Sequence, residues 1–180
     1  TTTDEADMLG AGETNTLRQT GDMNTTQVYG TAGTDHVNVT GNIAGSSTIN
    51  TGAGDDIVMV DGNVTGNSNI DTAGGYDTIT ITGNLSGSAI NAGDGDNIIT
   101  VGSVGTGGNI YAEDGNDTIR ITGDISAGAS IGINAGGGDN TIDIDGNVID
   151  SNIYVKDGVD KITVAGDVTG ADSIINTEGG

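Results

Sequence analysis

Gly75-Tyr76-Asp77-Thr78-Ile79-Thr80-Ile81-Thr82-Gly83-Asn84-Leu85 decides the fold, because the chain repeats this stretch from one end to the other. An earlier copy reads Gly33-Thr34-Asp35-His36-Val37-Asn38-Val39-Thr40-Gly41-Asn42-Ile43. A later one reads Gly138-Asp139-Asn140-Thr141-Ile142-Asp143-Ile144-Asp145-Gly146-Asn147-Val148. The shared pattern is Gly-x-Asp/Asn-x-U-x-U-x-Gly-x-U, where U is aliphatic. Its polar anchors are Asn15, Asp35, Asp56, Asp77, Asn97, Asp117, Asn140 and Asp160, at intervals of 20, 21, 21, 20, 20, 23 and 20 residues. A fixed period of this size marks a stacked repeat architecture, here of about eight coils.

Within each coil the aliphatic spacing predicts the backbone. Residues two and four after most anchors are aliphatic, as in Val37/Val39, Val58/Val60, Ile79/Ile81, Ile119/Ile121 and Ile142/Ile144. A period of two is that of a strand with one buried face. A third aliphatic follows the glycine (Ile43, Val64, Leu85, Ile125, Val148, Val168). A fourth opens a second short strand (Val28, Ile49, Ile70, Ile90, Ile110, Ile133, Ile153, Ile175). Each coil therefore offers about four inward aliphatics, which only stacking on neighbouring coils can bury.

The two turns of a coil differ. From the second-strand aliphatic to the next anchor the distance is always seven residues, from Val28–Asp35 through Ile153–Asp160. On the opposite side it varies from five (Leu85 to Ile90) to eight (Ile125 to Ile133). Connecting loops tolerate length change cheaply, so a turn held to one length has a geometric task. These fixed turns are rich in glycine and side-chain oxygen, for example Thr51-Gly52-Ala53-Gly54-Asp55-Asp56 and Ala92-Gly93-Asp94-Gly95-Asp96-Asn97.

Composition agrees with a thin core. The 180 residues include 34 glycines, four tyrosines, and no Phe, Trp, Cys or Pro. Low hydropathy with high charge is also the mark of disorder, and the repeat decides against it. Twenty-six acids against four Lys and Arg give a formal charge of −22, which excludes the basic face that nucleic acid needs. No apolar run is long enough for a transmembrane helix. Such a negative field opposes compaction unless something neutralises it. Hard cations such as calcium take six to eight oxygens, carboxylate and carbonyl mixed. One turn cannot supply that number, whereas two stacked turns about 4.8 Å apart can.

The half-motif Gly52-Ala53-Gly54-Asp55-Asp56-Ile57-Val58 resembles the calcium-binding nonapeptide of repeats-in-toxin (RTX) proteins. With such turns on one side of a longer coil, the chain is more similar to the one-sided solenoids of large bacterial RTX adhesins. The likeness covers roughly residues 10–180. It implies a parallel right-handed β-solenoid, an extracellular location on a bacterial cell surface, and several calcium ions held by anchor carboxylates and turn carbonyls. The residues implied are Asn15, Asp35, Asp56, Asp77, Asn97, Asp117, Asn140 and Asp160, with Asp55, Asp96 and Asp139 beside them. Departures are the amides at Asn15, Asn97 and Asn140, and loss of the first glycine around Ala32, Ala73, Glu113 and Lys156, which is expected to weaken those gaps.

The rival class is a carbohydrate-binding or polysaccharide-processing β-helix. Asp143, Asp145 and Arg120 lie on outward positions of neighbouring strands, which reads more simply as a cross-strand ion pair. His36 also faces outward. Tyr29, Tyr111 and Tyr154 share one register with Asn50, Asp71, Asn91, Asn134 and Asn176, a row that could meet a glycan or form an exposed ladder. Short loops leave no walls for a catalytic cleft, so no enzymatic activity is expected.

Residues 1–180 thus read as one solenoid domain, with 1–9 a leading partial coil or arm and 175–180 the start of a further coil. Met8 stands seven residues before Asn15, so the register is expected to be running already. Neither end carries an amphipathic cap, and bare solenoid ends expose strand edges. The expected role is structural: a calcium-stiffened module of an adhesin or surface layer, or a homo-oligomer or filament joined through its ends or continued by the same array.

Overall fold

A computed structural model describes residues 7–8, 14–126 and 132–178. Strands Asn15–Gln19, Asp35–Val39, Ile57–Val60, Thr78–Leu85, Ile98–Val104, Thr118–Ile121, Thr141–Ile144 and Lys161–Val164 form one eight-stranded sheet, stacked in sequence order. A second sheet of nine stacks Asp7–Met8, Gln27–Tyr29, Thr48–Asn50, Asn69–Asp71, Ala89–Asn91, Asn109–Tyr111, Gly132–Asn134, Asn152–Val155 and Ile174–Thr177. Pairing is parallel and residue-matched: Ile79 faces Val58 on one side and Ile99 on the other. A third column runs Met23, Ile43, Val64, Leu85, Val104, Ile125, Val148 and Val168, joined by short parallel pairs and single bridges. The chain is an all-β solenoid of parallel sheets with about eight coils, as its repeat predicts.

The buried face follows the aliphatic pattern. In the coil that begins at Asp35, Val37, Val39, Ile43 and Ile49 are each 1% exposed or less. Ile79, Ile81, Leu85 and Ile90 repeat this two coils on. Burying each such side chain is worth about 1.5–3 kcal/mol, and every one is enclosed by counterparts above and below. Sheet corners need backbone partners as well. Ser47, Ser68 and Ser88, all buried, supply them: their hydroxyls accept the N–H of Thr26, Ser47 and Ser68 in the preceding coil.

Two details depart from the repeat arithmetic. Asp7, not Met8, pairs with Val28, so the leading strand is one residue out of the expected register. A two-residue strand stacked on one side only has little to fix its register. The longest variable turn, Ile125 to Ile133, lies partly outside the described residues. Ile175 keeps the expected pairing with Ile153, whereas 179–180 lie outside the description. In this last coil Val168, Ile174 and Ile175 are 47%, 47% and 41% exposed, where the stack ends.

Candidate metal edge

The anchors face inward. Period two places each on the same side as the aliphatics that follow it, and Asp35, Asp56, Asp77, Asn97, Asp117 and Asn140 are at most 1% exposed. Their first task is backbone pairing between coils. From Asp56 onward, the Oδ1 of each anchor accepts the N–H of the anchor one coil earlier: Asp35 N to Asp56 (2.7 Å), Asp56 N to Asp77 (2.8 Å), Asp77 N to Asn97 (3.0 Å). The ladder continues from Asn97 N to Asp117 (2.8 Å), Asp117 N to Asn140 (2.9 Å) and Asn140 N to Asp160 (2.9 Å). Asp and Asn are interchangeable in this role because both present an acceptor oxygen.

They differ in the second atom. Asn97 Nδ2 donates to the carbonyls of Gly93 (3.0 Å) and Gly95 (2.9 Å). Asn140 Nδ2 does the same with Ala135 and Gly138, both at 3.0 Å. The turn therefore curls its carbonyls around whatever follows the anchor's outer atom. At Asp56, Asp77, Asp117 and Asp160 that atom is Oδ2, an oxygen buried without any hydrogen-bond partner. A buried carboxylate oxygen left unpaired is costly. It needs either a proton of its own or a cation shared with the surrounding oxygens.

Burial raises these carboxyls above the ordinary aspartate value. Desolvation pushes Asp77 and Asp117 up to about 6, against the opposing N–H bonds from Asp56 and Asn97. Asp56 is raised for the same reason, opposed chiefly by the Thr51 hydroxyl beside it. Thr51 Oγ1 makes no hydrogen bond of ordinary geometry, so two oxygens without partners meet at this rung.

The groups of this edge are oxygens: the anchor carboxylates, the carbonyls that receive the amides at Asn97 and Asn140, and the Thr51 and Thr72 hydroxyls beside Asp56 and Asp77. That set suits a hard cation. No cluster of three carboxylates, imidazoles or thiols gathers among the described residues.

The fixed turn gets its shape from left-handed backbone four and two residues before the anchor. Gly52 and Gly54 (φ 86° and 138°) and Gly93 and Gly95 (79° and 126°) show both positions. Where the first glycine is missing, Ala73 and Glu113 keep the same conformation at φ 62° and 61°. The turn survives with strain, which costs about 1–2 kcal/mol per residue. Ala73→Gly should therefore stabilise the chain by about 1 kcal/mol after the glycine's own unfolded-state entropy is subtracted, read as a higher urea midpoint with unchanged slope.

Asp55, Asp96 and Asp139 are exposed and belong to a separate outer ladder. Their Oδ1 atoms accept the N–H of Tyr76 (2.9 Å), Asn116 (2.7 Å) and Val159 (2.8 Å) in the following coil. Asn15 lies at the N-terminal end of the inner ladder and donates from Nδ2 to Asp35 Oδ1 at 2.7 Å.

A further ladder escaped the sequence reading. At the third corner Asp22 Oδ1 accepts Asn42 N–H (2.7 Å), Asn42 Oδ1 accepts Asn63 N–H (2.9 Å), and Asn63 Oδ1 accepts Asn84 N–H (2.8 Å). Its signal was present as the Asn or Asp that follows the second glycine of most repeats.

The outward groups remain simple. Arg120 Nη2 lies 2.5 Å from Asp145 Oδ2, with side chains 48% and 45% exposed. An exposed pair of this kind contributes little, and Arg120→Ala should shift stability by less than about 1 kcal/mol. His36 lines a depression of about 190 Å³ with Thr16, Arg18, Asn38, Ile57 and Met59. Tyr29, Tyr111 and Tyr154 hold the expected row, Tyr111 pairing with Asn91 and Asn134.

Comparison with known protein families, curated proteins and solved structures finds no match for this chain.

Proposed function

We infer that the chain is a structural, calcium-stabilised solenoid module of a bacterial cell-surface protein, holding ions along its fixed-turn edge. The observation that carries this reading is the set of buried, partnerless Oδ2 atoms at Asp56, Asp77, Asp117 and Asp160. Calcium bound there supplies positive charge to oxygens that otherwise lack a partner. Asp56, Asp77, Asp117 and Asp160 would hold it, together with turn carbonyls. The anchors' Oδ1 atoms pair neighbouring coils, and an ion on Oδ2 would steady the carboxylates that do so.

One carboxylate per rung, with no cluster of three among the described residues, suits the weak calcium sites of extracellular modules, which have dissociation constants of about 10⁻⁴–10⁻³ M. That favours an extracellular setting rich in calcium. It also moderates a formal charge of −22. Open strand edges at the ends of such a rod can pair with the same array or with a second copy in a filament. An adhesin, a surface layer and an end-to-end filament all use a rod of this kind.

Calorimetric titration with calcium tests the cation, and binding heat absent at millimolar calcium would overturn the reading. Electron microscopy of the calcium-loaded chain tests assembly: end-joined rods are expected, and monomers alone at high concentration would remove the filament.

A second reading, glycan binding, rests on Tyr29 and Tyr111, each 38% exposed, in the row that also carries Tyr154. A glycan screen with Tyr111→Ala as control separates it from the structural role.

A further inference from the structure

The inner ladder contains two kinds of rung that differ by one atom. At Asn97 the amide donates two N–H bonds into the turn, to Gly93 and Gly95. At Asn140 it donates to Ala135 and Gly138. At Asp56, Asp77, Asp117 and Asp160 the corresponding oxygen has no partner at all. Asp35 is a third case: Oδ1 accepts from Asn15 Nδ2 (2.7 Å) and Oδ2 from the Thr31 N–H (3.1 Å), so both oxygens are occupied.

We propose that Asn97 and Asn140 are built-in substitutes for calcium, their amides filling the cradle that the ion fills at the Asp rungs. The ladder then holds four ions, beside Asp56, Asp77, Asp117 and Asp160, and none at Asn97, Asn140 or Asp35. This rests on the cation reading of the Asp rungs given above.

An ion at an Asn rung would have to displace two hydrogen bonds of 2.9–3.0 Å and would find no carboxylate in return. An amide held by two carbonyls needs no cofactor. The substitution has a consequence for calcium dependence. Asp35 and Asp56 donate their N–H groups to rungs that need an ion, Asp56 and Asp77. Asp77 and Asp117 donate theirs to Asn97 and Asn140, which do not. Calcium removal therefore loosens the first coils of the stack before those held by Asn97 and Asn140. The amides act as permanent staples in an otherwise ion-dependent edge.

Native mass spectrometry and calorimetry of the full chain, titrated with calcium alone, count the ions. Four are expected for the parent chain. Asn97→Asp and Asn140→Asp should each add one, and Asp77→Asn should remove one. In EDTA, amide hydrogen exchange should speed at least tenfold at Asp35 and Asp56, with smaller change at Asp77 and Asp117. Asp77→Asn should abolish most of the loss at Asp56. A parent chain that binds no calcium overturns the cation reading and this inference together. A parent chain that binds calcium, with a count unmoved by Asn97→Asp and by Asp77→Asn, overturns the inference alone.

Discussion

At pH 7 the chain should melt at least 10 °C lower in excess EDTA than in calcium at ten times the dissociation constant expected of its sites. Each site saturated to that degree contributes about 1.4 kcal/mol, and four such sites together contribute about 6 kcal/mol. For a domain of this length one kcal/mol shifts the midpoint by about 2–4 °C. The pH dependence carries a stronger signature. In EDTA, burial holds Asp77 and Asp117 at about 6, above the ordinary 3.8. A carboxyl raised on folding favours the folded state most where it is protonated, below the unfolded value. Its contribution is lost as pH rises from about 4 through about 6. Stability without calcium should therefore fall across that window. With calcium the slope reverses, because protons compete with the ion for the same oxygens. Melting curves at pH 4, 5, 6 and 7, with and without EDTA, check both slopes.

The second large effect is Gly95→Ala, expected to cost about 3–5 kcal/mol. Gly95 sits at φ 126°, a conformation that alanine scarcely visits. A Cβ there would strike the backbone carbonyl of Gly75 in the coil beneath. Backbone on backbone leaves no side chain able to move aside, so overpacking adds to dihedral strain. The same contact recurs along the column, with Gly75 against Gly54 and Gly115 against Gly95. Coil spacing on this edge is therefore set by glycine. Urea unfolding should show the loss both in calcium and in EDTA, since it does not depend on the ion.

Why the coil was legible in sequence and the cradle was not can be argued from particular residues. Val37, Val39, Ile43 and Ile49 announce their burial because strand periodicity fixes which side chains turn inward. The seven-residue spacing from Val28 to Asp35 and from Ile49 to Asp56 announces one constrained edge. Neither reveals what the anchor's outer atom meets, and there the carboxylate of Asp77 and the amide of Asn97 part company. Sequence reading takes Asn97 and Asn140 for weakened members of one ligand set, whereas their amides are hydrogen-bonded into the turn. Asp55, Asp96 and Asp139, adjacent to anchors in sequence, also form inter-coil bonds of their own, which the spacing does not announce. Ala73 and Glu113 show the converse. Their missing glycine suggests a damaged turn, and tertiary stacking holds the same backbone at φ 62° and 61°. Met8 shows where stacking stops specifying register.

The most direct measurement is a crystal structure of the calcium-loaded chain with anomalous data collected at long wavelength. Four anomalous peaks are expected, about 2.3–2.6 Å from Oδ2 of Asp56, Asp77, Asp117 and Asp160, and none beside Nδ2 of Asn97 or Asn140. Carboxyls hydrogen-bonded as neutral acids to their turn carbonyls, with no peak on this edge at millimolar calcium, would contradict this expectation.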